Sequence, residues 1–330
     1  MADYLASLVA STLNNTRAKV WSQIWGSHPV YYKLEKNKEP ATGGLNIVET
    51  LEVGKNPTVA MRDPKTAIPL MESDELKNVA WAWKNLSGSI VIFDEDERVN
   101  KGEAAIRNYT KTKIENFKNT MIDTLALQLW KDGGDNAFDG LPAICSATNV
   151  YPVADSKTQV TGINRLTAGN EYWKANVYST AEPFVVFGGT DGGWQKAYDD
   201  CLIYAGGGIG RMNDEPDLIV TSQAIFEKFE QSMTDDKRYM NAELAEAGFR
   251  NLMFRNAAVV WDPNINSSTS TYILNTKYIK LRPDSACAND FIYDQKHRIE
   301  DMFASRILAS WAGNITCTYP RKQALVSNKS

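Results

Sequence analysis

Histidine is nearly missing from this chain: among 330 residues only His28 and His297 occur. A histidine-rich metal site would need both, together with carboxylates from distant segments. A Ser-His-Asp or Cys-His relay has almost no base to draw on, and no nucleophile sits in a GxSxG elbow. Cysteine is equally sparse, since Cys145, Cys201, Cys287 and Cys317 are widely separated and form no CxxC pair. That spacing argues against a zinc site or a disulfide framework and for a reducing, cytoplasmic origin. No uncharged apolar run reaches the ~18 residues of a membrane-spanning helix. Asp3, Asn14, Asn15, Arg17 and Lys19 interrupt the first thirty residues, where a signal peptide needs a continuous apolar core. Excess positive charge is absent too: 36 Lys and Arg stand against 40 Asp and Glu, a net charge of -4. Any contact with DNA is therefore expected to be weak and non-specific.

Two motifs that suggest chemistry lose that meaning in context. Gly206-Gly207-Gly208-Ile209-Gly210-Arg211 could cradle a phosphate, yet it follows an expected helix instead of a strand and lacks the Gly-Lys-Ser/Thr ending. Helix termination and a flexible loop account for it, although a nucleotide-dependent enzyme remains the rival from another class. Asp94-Glu95-Asp96-Glu97 lacks the alternating ligands and central glycine of an EF-hand, and reads as a solvated acidic turn ahead of a helix. Trp81, Trp83, Trp173, Trp194, Trp261 and Trp311 are not interleaved with Lys or Arg as a base-stacking platform would be, so they are expected to anchor cores or interfaces. No catalytic, cofactor-binding or metal-binding residue is assigned, and no cofactor is expected.

What the chain does contain is folding information. The hydrophobic set makes up 43%, aromatics 10% and charged residues 23%, the balance of a folded protein with one large or two ordinary domains. Residues 1 to about 25 read as a helix-prone arm on the spacing of Leu5, Leu8, Val9, Leu13, Val20, Trp21 and Ile24, packing either on its own domain or across a neighbour. From Gly43 to about Asp74 a long β-hairpin is expected, with a turn at Gly54-Lys55-Asn56-Pro57 leading back through Thr58-Val59-Ala60-Met61. Its thin core implies that it leans on something else.

Asn78–Lys84 and Gly88–Phe93 read as strands. Asn100 with Glu103 then forms a capping box, and neither Gly nor Pro occurs from Glu103 to Asp132. Ile106, Ile114, Phe117, Met121, Leu125 and Leu129 share one face before Gly133-Gly134, predicting a helix of roughly 30 residues, about 45 Å long. A coiled coil is its rival, weakened by irregular heptads. Later segments predict a helix from about Gly193 to Ala205, a strand over Asp217–Ser222 running into a helix over Gln223–Met233, and then strands at Leu252–Phe254, Ala258–Trp261, Tyr272–Leu274, Tyr278–Leu281, Ile307–Trp311 and Ile315–Tyr319.

This order of elements resembles the major capsid protein of tailed bacteriophages, the Hong Kong 97-type fold. The local wording agrees at Ala80-Trp81-Ala82-Trp83-Lys84, Asn100-Lys101-Gly102, Gly140-Leu141-Pro142, Thr161–Arg165 and Tyr172-Trp173, and most persuasively at Val259–Pro263 followed by Thr271–Leu281. The resemblance implies an α+β fold with an N-terminal arm (1–42), an extended E-loop hairpin (43–77), a peripheral domain (78–140 and 251–330) with a spine helix (100–132), and an α/β axial domain (141–250). It implies a non-enzymatic coat protein that self-assembles as hexamers and pentamers of an icosahedral head enclosing double-stranded DNA, built in the host cytoplasm and found in the virion. Gly54, Lys55, Asn56, Pro57, Arg62 and Asp63 are then the expected intersubunit contacts at the E-loop tip. Other implied partners are a portal protein, decoration proteins and a scaffolding protein, the last expected to be separate because no long charged helical extension precedes the arm. An encapsulin-like nanocompartment shell, which shares the fold, is the alternative.

Overall fold

The computed structural model describes residues 28–54, 56, 58–63, 65–71, 75–99, 103–148, 150–155, 160, 162–180, 193–203, 214–232, 251–265, 269–288, 290–294, 297–300 and 302–328. The expected arm helix (1–25), the capping segment Asn100–Gly102 and the glycine run 206–210 lie outside them, as do Lys55 and Pro57.

Helix α1 (Pro29–Lys36) buries Val30 and Leu34 in the main core, so the chain is anchored on its own subunit from its first described turn. Gly43 and Gly44, both at positive φ, turn the chain into strand β1 (Asn46–Glu52). The partner of β1 is β2 (Leu76–Ala82), in antiparallel register from Asn46↔Ala82 to Glu52↔Leu76. This corrects the expected hairpin: Gly54–Pro57 does not close it, and Thr58–Met61 is not a strand. The apolar alternation was read correctly in β1, but its mate lies beyond a long excursion, because Trp81 and Val79 are the residues that can cover Ile47 and Glu49.

Strand β3 (Lys84–Phe93) follows directly, then helix α2 (Asp94–Val99). The acidic run is thus helical instead of an open turn. Asp96 is buried and pairs with Lys113 at 3.6 Å, while Asp94 pairs with Arg298 at 3.2 Å.

Helix α3 (Glu103–Gln128), about 39 Å long at the standard rise, is the spine. Met121 and Leu125 are buried one turn apart, and Leu129 continues their row just past the helix end. The helix stops short of Gly133: Leu129, Trp130 and Lys131 donate to carbonyls three residues back, tightening the last turn before the positive-φ pair Gly133-Gly134. The short helix α4 (Leu141–Ile144) and a small antiparallel ladder of β4 (Val150–Tyr151) with β5 (Ile163–Asn164) come next.

The spine lies against an antiparallel sheet whose centre is β14 (Ala304–Cys317), a single 14-residue strand where two were expected. β3 pairs along one edge of it, from Phe93↔Ala304 to Lys84↔Gly313. The other edge carries β11 (Ile279–Pro283), β12 (Ile292–Tyr293) and β13 (His297–Arg298).

A second, six-stranded sheet has the order β6 (Asn176–Thr180), β15 (Ala324–Asn328), β10 (Ser270–Leu274), β7 (Leu218–Thr221), β9 (Ala257–Trp261), β8 (Leu252–Phe254). Its β6/β15 and β7/β9 pairs are parallel. Strand β7 is buried on both faces. Ile219 meets helices α5 (Trp194–Cys201) and α6 (Gln223–Ser232) with Trp194, Phe226 and Phe229, whereas Leu218 and Val220 join the main core. The expected division at residue 250 runs through this sheet, because β9 and β10 pair with β7, and the unanticipated β15 pairs with β6, both strands of 141–250. The chain leaves this layer after β10, runs through β11 to β14, and returns as β15.

Of the six tryptophans expected to anchor cores or interfaces, Trp81, Trp173, Trp194 and Trp311 are buried while Trp83 and Trp261 are half-buried; Trp130, not among them, is buried as well. Among the described residues, no helix is long and apolar enough to cross a membrane.

Candidate assembly surface

The β1–β2 ribbon is held to the body through one face. Ile47, Val79 and Trp81 are buried on that side, and Trp81 Nε1 donates to Tyr151 Oη at 3.2 Å. Between them Glu49 enters a charged seam on β11 and β14. Thr316 Oγ1 donates to Glu49 Oε1 at 3.1 Å, Arg282 Nε lies 3.6 Å away, and Arg282 and Lys280 also pair with Glu39 at 2.9 and 3.0 Å. Burial raises the Glu49 pKa, and it outweighs the opposing pull of Arg282 and Thr316. The opposite face of the ribbon, with Val48, Thr50 and Glu52 against Ala80, Asn78 and Leu76, is open.

Beyond the last pair Val53 N donates to Glu75 O at 2.7 Å, so the excursion leaves and returns at one point. Of the expected contact residues, Gly54 sits at this base beside Glu75, with Asn56 close after it. Asn56 Oδ1 accepts from the Thr58 amide at 2.9 Å. Arg62 and Asp63 lie farther out, where Arg62 donates to Thr58 O and Asp63 Oδ1 accepts from the Lys65 amide. Of the expected six, the four described ones thus run from the base of the excursion at Gly54 into its outgoing arm, and Lys55 and Pro57 are outside the described residues.

Sequence reading missed the apolar content of this excursion. Val59, Met61 and Leu70 have relative exposures of 81, 103 and 97%, and Ile68 and Met71 are also exposed. A lone folded subunit rarely displays so much apolar side chain in one segment. The signal was present but weak, since each apolar residue stands among polar neighbours and reads as noise. A second group, Phe93, Ile292, Tyr293, Met302, Phe303 and Leu308, is exposed on the spine sheet and the turns at its end.

The interior beneath is rigidly tied. Lys84 Nζ pairs with Asp155 and donates to Gly134 O at 2.6 Å, both side chains being buried. Asp139 receives Asn314 Nδ2 at 3.0 Å, and the same amide group donates to Ala82 O at 2.9 Å. Arg165, fully buried, donates to the carbonyls of Trp173, Ala143 and Ile144 at 2.7–2.9 Å and stacks on Tyr151. His28 Nε2 lies 2.7 Å from Asp123 Oδ1 on the spine, and its Nδ1 lies 2.9 Å from Asn264 Nδ2, so both ring nitrogens are engaged. All four cysteines are free and buried, and burial pushes the Cys201 and Cys317 thiols up to about 12. Among the described residues, no group of three or more His, Cys, Asp or Glu could hold a metal ion.

No family model matches the chain, and no curated protein matches it in sequence. Its shape, in contrast, is similar to solved particles over nearly its whole length. The cyanophage A-1(L) capsid asymmetric unit superposes with a TM-score of 0.68 at 13% identity, covering 96% of this chain and 97% of that one. The capsid of an empty GTA particle gives 0.61 at 9% identity, covering 98% of each. The capsid of Myoviridae phage XM1 gives 0.55 at 9% identity, covering 97% of this chain and 98% of that one. The chain therefore has the mixed helix-and-sheet, Hong Kong 97-type capsid fold, arrived at through a sequence that shares little residue by residue with these subunits.

Proposed function

We propose that this chain, which has the fold of tailed-phage capsid subunits, is a major capsid protein whose copies assemble into an icosahedral shell around double-stranded DNA. One observation carries the reading: the full-length fold match to capsid subunits is joined to an anchored ribbon whose long excursion leaves its apolar side chains uncovered. A solitary protein gains nothing from that segment, while a polymer of identical copies can bury it. Small contacts repeated over many copies make a durable shell, and each remains weak enough to correct during assembly.

The finer reading places the excursion as the E-loop, β3, α3 and β14 in the peripheral domain, and the six-stranded sheet with α5 and α6 in the axial domain. Copies would meet as hexamers and pentamers, with a portal, a separate scaffolding protein and decoration proteins as further partners. Assembly would take place in the host cytoplasm and the product would be the virion head. The mildly acidic charge balance supports loose contact with packaged DNA. The reading requires no reacting group. An encapsulin-like compartment is not favoured, because the similar particles named above are those of phages and of a GTA.

Nuclease treatment of particles recovered from infected or induced cells tests this. Protected double-stranded DNA is expected inside; shells filled with a cargo enzyme and free of DNA would overturn the assignment.

A further inference from the structure

A lysine and an aspartate meet inside the subunit, almost shut off from solvent. Lys84 is the first residue of β3 and Asp155 lies just beyond β4, and their side chains keep 5 and 2% exposure. Lys84 Nζ is in direct contact with Asp155 Oδ2, and it also donates to Gly134 O at 2.6 Å. Attack on the carboxyl carbon therefore needs a shift of one bond length and no rearrangement of the chain.

Both partners are fixed from behind. Lys84 sits opposite Gly313 in the ladder of β3 with β14, and the Asp155 amide donates to Val160 O at 3.3 Å. Asp139 braces the space between them. A Cβ on Gly133 would lie 2.8 Å from Asp139 Oδ1, which puts this carboxyl on the same glycine turn that receives Lys84. Asp139 Oδ1 also accepts from the Val153 amide at 3.3 Å, two residues before Asp155, and Oδ2 accepts from Asn314 Nδ2 at 3.0 Å.

As an ion pair this contact is a poor stabiliser, since withdrawing two charges from water consumes much of what their attraction returns. A neutral link between the same groups removes that penalty. We propose that Lys84 Nζ and Asp155 Cγ condense to an intramolecular amide, a covalent clasp that the folded chain forms by itself. A proton passes from the ammonium to the carboxylate it touches, leaving a neutral amine and a neutral acid. The amine lone pair attacks Cγ and the Nζ–Cγ bond forms. A nitrogen proton goes to the departing hydroxyl, the Cγ–O bond breaks, and one water leaves. One positive and one negative charge vanish together, and no oxidant, reductant or further reactant is needed.

Amide condensation is unfavourable between free groups in water, but groups held in contact reach effective concentrations of about 10⁵–10⁸ M. The surrounding burial also excludes the water that would reverse the reaction. Because the partners are 71 positions apart, the clasp closes a long loop and restricts the unfolded chain as a disulfide would. It ties the root of the β1–β2 ribbon, which runs into β3 at Lys84, to the segment where Tyr151 receives Trp81 Nε1. The clasp goes beyond the shell reading and stands independently of it.

Mass spectrometry of the purified full chain tests it. The folded wild-type protein is expected to be lighter than its sequence by one water. Digestion after denaturation should give one branched peptide joining Lys84 to Asp155 in place of two separate peptides. Lys84→Arg keeps the positive charge without the amine nucleophile and should restore the full mass and the separate peptides. The wild-type measurement decides by itself, so a variant that fails to fold does not obscure the answer. A wild-type chain at full mass with separate Lys84 and Asp155 peptides holds an ion pair only and overturns the proposal. A water loss that persists in Lys84→Arg, or that maps to other residues, overturns it equally.

Discussion

Gly88 lies so close beneath Phe117 that a Cβ at residue 88 would sit 2.7 Å from both Cε2 and Cζ of the ring. The missing side chain lets the spine helix settle against β3, at the edge of its sheet. Gly88→Ala is therefore expected to force the ring aside and to cost about 1–3 kcal/mol. Urea denaturation of the subunit measures it. Phe117→Leu should recover part of the loss in the double variant, and strictly additive effects would show that the two residues do not share this space.

Arg165 is a buried cation served by three main-chain carbonyls and an aromatic face instead of a carboxylate. Arg165→Ala leaves those carbonyls without a donor and is expected to lower stability by about 3 kcal/mol or more. Arg165→Lys should rescue little, since an ammonium cannot reproduce the planar fork. A lysine variant as stable as wild type would contradict this account of the site.

Acidification has a predictable sign. Burial pushes Asp139 and Asp262 up to about 6, against the opposing hydrogen bonds from Asn314 and from the Asn264 amide respectively. A carboxyl that holds its proton more tightly when folded opposes folding most strongly above pH 6, and that opposition fades as the pH falls towards the ordinary value near 4. Unfolding free energy should therefore rise from pH 7 to pH 5 by about 1 kcal/mol per group. Asp139→Asn should flatten that rise. Below about pH 4 the trend reverses, because Lys277 and Tyr278 hold Asp214 low, and Lys118 holds Asp290 low, in spite of the burial that would raise them. A curve that only falls from pH 7 downward would refute the assignment.

Replacing residues 55–73 by Asn-Gly joins Gly54 to Asp74 through a two-residue hairpin turn. The excursion contributes little to the core, so the shortened subunit is expected to keep its thermal midpoint within a few degrees and to lose the ability to close shells. Normal particles from this variant, seen by negative-stain microscopy, would count against the excursion as an assembly element.

Much of this architecture was readable where one physical rule acts locally. The spine was legible because 26 residues without Gly or Pro can hardly do anything else, and Leu218–Thr221 because a short apolar run entering a helix has few other uses. The ribbon was half legible: alternation marked β1, but its register depends on Val79 and Trp81 across an excursion that no local rule measures. β15 escaped notice because a short strand between polar residues gains its stability from β10 and β6, which are remote in sequence. The resemblance put the expected intersubunit contacts in this excursion but at its turn and charged residues, Gly54 to Pro57 with Arg62 and Asp63, and not at its apolar ones. Val59, Met61 and Leu70 are informative only once it is known that nothing among the described residues of their own chain covers them.

Cryo-electron microscopy of the purified chain, alone and co-expressed with a scaffolding protein, bears most directly on whether this subunit exists to build a shell. Closed polyhedral particles with fivefold and sixfold capsomers are expected, with density from one subunit's 53–75 segment lying on the next. A species that stays monomeric in both preparations, at every concentration tried, would contradict the account.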